Sequence, residues 1–246
     1  MKKKQHNDVH SQRSHPRRRI LIRPTKASDI FIPEEWSEEQ LMMKQMTLDF
    51  VEKRVVPNLD AIDHQEEGLV PRLMEESGEL GLLGSSVPEE YGGMGLDFKT
   101  TMLITEAIGG AHSFSVSFSA HTGIGTLPIL YYGNEEQKKK WVPGLASGEL
   151  KGCYCLTEPG AGSDANSGKT KATLSEDGQH YILNGQKMWI TNGGFADVMI
   201  VFAKIDDTKT SPPSSWTATA KASRRIRRKR RWASRARRRG KSSSMT

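Results

Sequence analysis

The spacing of apolar residues changes at Gly152, and no other feature limits the fold of this chain so strongly. Before it, apolar residues recur at helical spacing; after it, short alternating runs are cut by glycine turns. Pro33-Glu34-Glu35-Trp36-Ser37-Glu38-Glu39 opens a first helix, with Ser37 as N-cap and acids in the first turn. Leu41, Met42, Met46, Leu48, Phe50, Val51 and Val55 continue it until Pro57. Further helices are expected over 71–80 with Gly81 as terminator, over 98–108, over 114–124 with breaks at Gly123 and Gly125, over 127–132, and onward from the cap residue Asn134. Past Gly152, a strand is expected over 153–157 and an alternating run over 169–174. Ser175-Glu176-Asp177-Gly178 reads as a hairpin turn, and 180–187 pairs back with Asn184-Gly185 as a second turn. Strands over 187–191 and 198–205 complete the pattern. The expected fold class is α+β: an all-helical domain over 31–150, then an antiparallel β-barrel or sheet domain over 151–207.

Charge separates the ends from the body. Residues 1–26 hold 9 Lys and Arg against 1 Asp, and residues 208–246 hold 14 against none. Residues 27–207 carry 13 Lys and Arg against 28 Asp and Glu, so the body is acidic and is not expected to bind nucleic acid. Residues 1–30 and 208–246 lack apolar periodicity and are expected to be disordered basic arms. An Arg-rich tail is also the ordinary signature of a nucleic-acid contact, which stands as an alternative. No apolar run approaches the roughly 18 residues needed to span a bilayer, and no signal-peptide core follows the basic start. A cytoplasmic location is expected, ahead of a mitochondrial one. The 2 cysteines, Cys153 and Cys155, share one face of a strand and read as buried thiols, with no metal site expected.

The candidate chemistry lies in two blocks. In Cys153-Tyr154-Cys155-Leu156-Thr157-Glu158-Pro159-Gly160-Ala161-Gly162-Ser163-Asp164, a strand runs into a glycine turn carrying hydroxyls and carboxylates. Such a turn presents bare amides to a phosphate. In Lys187-Met188-Trp189-Ile190-Thr191-Asn192-Gly193-Gly194, Trp189 offers a plane, and on a strand Thr191 lies on the same side. Taken singly, each feature has an ordinary structural explanation: a glycine turn, a core tryptophan, Glu158 and Asp164 as turn caps, His121 as a satisfied helix residue. Their joint order is what is specific.

That order resembles the acyl-CoA dehydrogenases over roughly 31–207. Leu80-Gly81-Leu82-Leu83-Gly84, Val87-Pro88-Glu89-Glu90-Tyr91-Gly92-Gly93, Tyr132-Gly133-Asn134-Glu135-Glu136-Gln137-Lys138 and Leu183-Asn184-Gly185-Gln186-Lys187 support it. The resemblance implies FAD as cofactor, with Tyr154, Leu156 and Thr157 along the flavin ring. It puts Gly162 and Ser163 at the pyrophosphate, Ser163 also near the acyl-CoA thioester, Trp189 and Ile190 against the flavin, and Thr191 near its N5. It implies oxidation of an acyl-CoA to the trans-2-enoyl-CoA in fatty-acid β-oxidation, electron-transfer flavoprotein as acceptor, and a homo-oligomer. The resemblance implies a glutamate base that in most members lies in a C-terminal helical bundle, expected to be missing from this chain, so no catalytic residue is assigned. The β domain is then incomplete and the chain is expected to be inactive. A flavin- or acyl-CoA-binding module without catalysis is the second alternative.

The tail admits a further reading through the genetic code. Joining the last base of each codon to the first two of the next permits KNLTAFIVDRD from Lys209. Further on it permits NPEEKKMGIKGSSTRQVFFND, similar to the family's continuation. Trp216-Thr217 must give Asp, Trp232-Ala233 Gly, and Met245-Thr246 Asp. A one-base frameshift near residues 207–209 is therefore expected.

Overall fold

The computed structural model describes residues 35–205 throughout, and beyond them the backbone of three short strands. The arm expected over 1–30 and most of the tail expected over 208–246 lie outside the described residues. The chain divides into two units, Met1–Leu41 and Met42–Thr246. In the first, the helix start is capped as expected. The Gln40 N–H donates to Ser37 Oγ at 3.2 Å, and the Ser37 N–H donates to Gln40 Oε1 at 3.1 Å.

Helices fill the chain to residue 147: α1 (Glu38–Phe50), α2 (Leu59–Asp63), α3 (Leu69–Glu79), α4 (Phe98–Gly109), α5 (Ser113–Ser119), α6 (Leu127–Tyr132) and α7 (Glu135–Ser147). The expected helix over 114–124 divides, because Ala120–Gly125 winds as a π-turn after α5. Such bulges mark functional or strained places. A full capping box starts α7, with the Gln137 N–H on Asn134 Oδ1 at 2.8 Å and the Asn134 N–H on Gln137 Oε1 at 3.0 Å. Asn134→Ala is expected to cost about 1 kcal/mol in urea unfolding; an unchanged midpoint would show that the cap is idle.

The strands are β1 (Gly152–Cys155), β2 (Lys171–Leu174), β3 (Tyr181–Asn184), β4 (Val198–Val201), β5 (Lys204–Ile205), β6 (Ala218–Lys221), β7 (Arg227–Arg228) and β8 (Gly240–Lys241). They form small sheets, among them β1-β4-β6 and β3-β2-β5, and no closed barrel among the described residues. The β2–β3 hairpin is antiparallel, with Lys171 opposite Asn184, and its turn is the expected one at Gly178, φ +66°. Two pairings differ from the antiparallel expectation. β1 lies parallel to β4, with Cys153 opposite Met199, and β2 lies parallel to β5. The long excursion between β1 and β4 makes a parallel return possible.

A further expectation fails. Residues 187–191 do not form a strand; Trp189 (φ +63°) and Asn192 (φ +65°) take left-handed backbone, and the segment turns. The far side of β4 is paired by the backbone of β6, Val198 opposite Lys221. An edge strand offers unpaired N–H and C=O groups, and main-chain pairing demands no particular side chain.

The core explains why β4 reads Val198-Met199-Ile200-Val201 without alternation. Val198 and Ile200 pack with Val87, Ile129, Val142 and Leu145 from the helical region. Met199 and Val201 pack on the other side with Cys153, Cys155, Ala172 and Ile190. A strand buried on both faces is a continuous apolar run, and parallel pairing is its usual setting. A third cluster, holding Phe50, Leu73, Ile104 and Phe114, lies among the helices.

Candidate functional site

β1 enters the site with its faces divided. Cys153 and Cys155 point into the core as free thiols, Sγ atoms 3.7 Å apart. Tyr154 points to the opposite side, its ring 4.8 Å from that of Phe202, and burial pushes its phenol pKa up.

The start of β1 is held by a histidine. His121, in the π-turn, is fully buried. Its Nδ1 accepts the Gly152 N–H at 2.9 Å, so the ring proton sits on Nε2, which donates to the Leu145 carbonyl at 2.8 Å. Burial pulls its pKa down to about 4, against the opposing pull of the Leu145 carbonyl and with help from the Lys151 charge. His121 is therefore a neutral structural pin, as the ordinary reading expected. The π-turn passes so close to β1 that a Cβ on Gly125 would stand 2.9 Å from the Gly152 carbonyl carbon, which requires glycine there.

Beyond β1 the chain meets the second block residue by residue. The Met188 N–H donates to the Thr157 carbonyl at 2.8 Å. Lys187 Nζ donates to the Leu156 carbonyl at 3.0 Å and to Glu158 Oε1 at 2.8 Å. Lys187 is 3% exposed and Glu158 7%. Glu158 also accepts the Lys169 N–H at 2.5 Å and the Thr170 N–H at 3.0 Å. Burial alone would raise the Glu158 pKa; the two amides and the Lys187 ammonium outweigh it and hold the carboxyl down to about 2. A buried ion pair thus binds three stretches of chain together.

The glycine turn follows at once. Glu158 and Ala161 exchange backbone bonds of 3.0 and 3.2 Å, so Pro159 and Gly160 form the tip. Gly162 and Ser163 are exposed, and among the described residues their amides have no partner. A Cβ on Gly162 would meet nothing within 4 Å, so there is open space beside the turn. Free amides, a serine hydroxyl and room form a donor set that fits a pyrophosphate.

The second block curls because Asn192 is buried. Its Nδ2 donates to the Ser117 carbonyl at 2.9 Å and the Gly152 carbonyl at 3.3 Å. The Gly193 N–H returns to the Ile190 carbonyl at 3.2 Å. Ile190 is buried among Cys153, Cys155 and Met199, so its side chain faces the core and only its backbone is left for a ligand. Trp189 and Thr191 remain half-buried on the curl.

Leu156 and Thr157 are thus brought against the block that carries Trp189 and Thr191, while Gly162 and Ser163 hang from the turn that Glu158 anchors. A cleft of about 290 Å³ opens beside this anchor, lined by Glu158, Pro159, Gly160, Ser167, Lys169, Thr170, Gly185 and Gln186; none of the eight expected site residues lines it. Sequence reasoning missed the roles of Lys187 and Asn192 and took Glu158 for a turn cap. The available signal was a lysine directly before an apolar run, Met188-Trp189-Ile190, where a buried cation needs a carboxylate.

Comparison with known proteins follows the same division. Residues 37–149 match the acyl-CoA dehydrogenase N-terminal domain and 153–245 the middle domain. The second match runs on through the tail, past residue 207, where the resemblance read from the sequence stops. A Bacillus subtilis protein named "Probable acyl-CoA dehydrogenase" is 53% identical over 193 residues, 78% of this chain and 32% of its own length. Mitochondrial isovaleryl-CoA dehydrogenase from Pongo abelii is 42% identical over 172 residues, covering 69% of this chain and 40% of that protein. An acyl-CoA dehydrogenase from Bacillus anthracis, solved in complex with FAD, superposes with a TM-score of 0.77 at 46% identity, over 82% of this chain and 35% of the other. The chain spans about a third to just under half of the length of the curated relatives it matches.

Proposed function

The chain belongs to the acyl-CoA dehydrogenase family, and from that premise we propose that its two blocks form an FAD site of an enzyme oxidising acyl-CoA to the trans-2-enoyl-CoA. What supports this most directly is the pairing of Lys187 and Met188 with the successive carbonyls of Leu156 and Thr157, which joins the threonine strand end to the tryptophan curl.

In this reading Tyr154, Leu156 and Thr157 border the flavin ring. Gly162 and Ser163 give amides to the pyrophosphate, and Ser163 also meets the thioester. Trp189 packs on the ring, Thr191 gives it a hydroxyl, and Ile190 contributes main chain only. When bound, the flavin supplies the two-electron acceptor for hydride from the acyl chain. No catalytic base is assigned within this chain, which is expected to be inactive alone. The full enzyme would act in fatty-acid β-oxidation in the cytoplasm, as a homo-oligomer, with electron-transfer flavoprotein as acceptor. A one-base frameshift near residues 207–209 accounts for the Arg-rich tail; sequencing the DNA across codons 205–210 decides it, and an intact frame would discard it.

Flavin titration tests the site. The chain is expected to bind FAD weakly, to lose it on gel filtration, and to lose it more readily after Trp189→Ala. Adding an acyl-CoA is expected to leave the flavin band unbleached. No FAD binding at all would refute the site, and bleaching would refute the inactivity.

A further inference from the structure

We infer that Lys187 is a positioning residue of the flavin site: its buried ammonium, locked by Glu158, orients the Leu156–Thr157 peptide so that the Thr157 N–H faces away from the second block, toward the ligand. This rests on the FAD reading above.

Lys187 and Met188 grip two successive carbonyls, those of Leu156 and Thr157, at 3.0 and 2.8 Å. In a trans peptide the carbonyl and the following N–H point in opposite directions. Fixing the Leu156 carbonyl on Lys187 therefore aims the Thr157 N–H the other way. The next peptide is fixed too, because the Glu158 N–H is held by the Ala161 carbonyl. The Thr157 N–H has no partner among the described residues, and Thr157 is half-buried.

An ammonium suits this task for a physical reason. A neutral donor would hold one carbonyl weakly, whereas a charge-assisted bond is about twice as strong. The cost of burying the charge is met by Glu158, which is itself held by the Lys169 and Thr170 amides. Glu158 thus fixes where the ammonium sits, and the ammonium fixes where the Leu156 carbonyl points. Neither side chain needs to touch the ligand.

The full chain is compared with Lys187→Met, with the double variant Lys187→Met/Glu158→Gln, and with the exposed control Lys139→Met. FAD affinity is read by quenching of flavin fluorescence. Amide hydrogen exchange is read on the flavin-free chains. Both Lys187 variants are expected to bind FAD at least about tenfold more weakly. Exchange is expected to accelerate across 156–163 and 187–193, with 98–147 unchanged. The double variant carries no unpaired buried charge, so its melting temperature is expected to return toward the parent while its FAD affinity stays low; this separates positioning from folding. A double variant that binds FAD like the parent, or unchanged exchange in both segments, overturns the proposal. If the parent itself binds no FAD, the flavin reading fails, and the exchange alone decides: loosening confined to the two segments upholds the role of Lys187, and uniform or absent change ends it.

Discussion

Lys187→Met is expected to lower the unfolding free energy by about 3–5 kcal/mol, the usual cost of removing one partner from a buried ion pair. The size follows from what stays behind. Glu158 is 7% exposed and its carboxyl is held at a pKa of about 2 by the Lys169 and Thr170 amides and by Lys187. Without the ammonium, a buried carboxylate keeps two amide donors but loses its counter-charge, and the Leu156 carbonyl loses a donor as well. Urea unfolding at neutral pH of the parent, Lys187→Met and Lys187→Met/Glu158→Gln measures the effect. The double variant is expected to recover most of the loss, since replacing both charges removes the desolvation cost together with the attraction. A single variant that loses under about 1 kcal/mol would mean that water reaches the pair and screens it, which would overturn this account.

Acid is expected to weaken the protein in a defined window set by His121. The ring is fully buried and its pKa is lowered from an ordinary 6.5 to about 4, chiefly by burial. A depressed pKa in the folded state means that the unfolded chain takes up the proton first. The stability contributed by the neutral ring is therefore fully present above pH 6.5 and is lost as pH falls toward about 4. Across that window the loss is about 3 kcal/mol. Protonation also destroys a specific contact, because Nδ1 can no longer accept the Gly152 N–H that starts β1. Glu158 adds a second, more acidic limb, from its ordinary 4.5 to about 2. Unfolding measured at pH 7, 5.5 and 4 for the parent and for His121→Gln tests this. The glutamine keeps a donor and an acceptor but does not titrate, so its stability is expected to vary much less over the upper limb. Equal slopes in both proteins would show that some other group governs the acid response.

Much of the architecture was legible from local chemistry. Ser37 and Asn134 announce helix starts because their side chains and the glutamine three residues on can satisfy the free amides of the first turn. Gly178 announces the β2–β3 turn because its positive φ favours glycine. The two motif blocks were recognisable by order, and the comparisons place the chain in the family that the order suggested. The reading went wrong where a distant partner overrules local preference. Residues 187–191 look extended, yet Asn192 reaches the carbonyls of Ser117, 75 positions back, and Gly152, 40 positions back, and the segment curls. The expected alignment of Trp189 and Thr191 along one strand face is lost with it, and Ile190 turns into the core.

The chain's own order of residues determined the helix starts at Ser37 and Asn134, the hairpin, the divided faces of β1 and the order of the two motif blocks, all of which depend on neighbours a few positions apart. Tertiary structure alone decided that β4 returns parallel to β1, that Lys187 closes on Glu158 from 29 residues away, and that His121 pins the start of the site strand. The reason is energetic. A buried charge or imidazole acquires its state from the groups that surround it after folding, and those groups are brought together by packing that no local window of sequence contains.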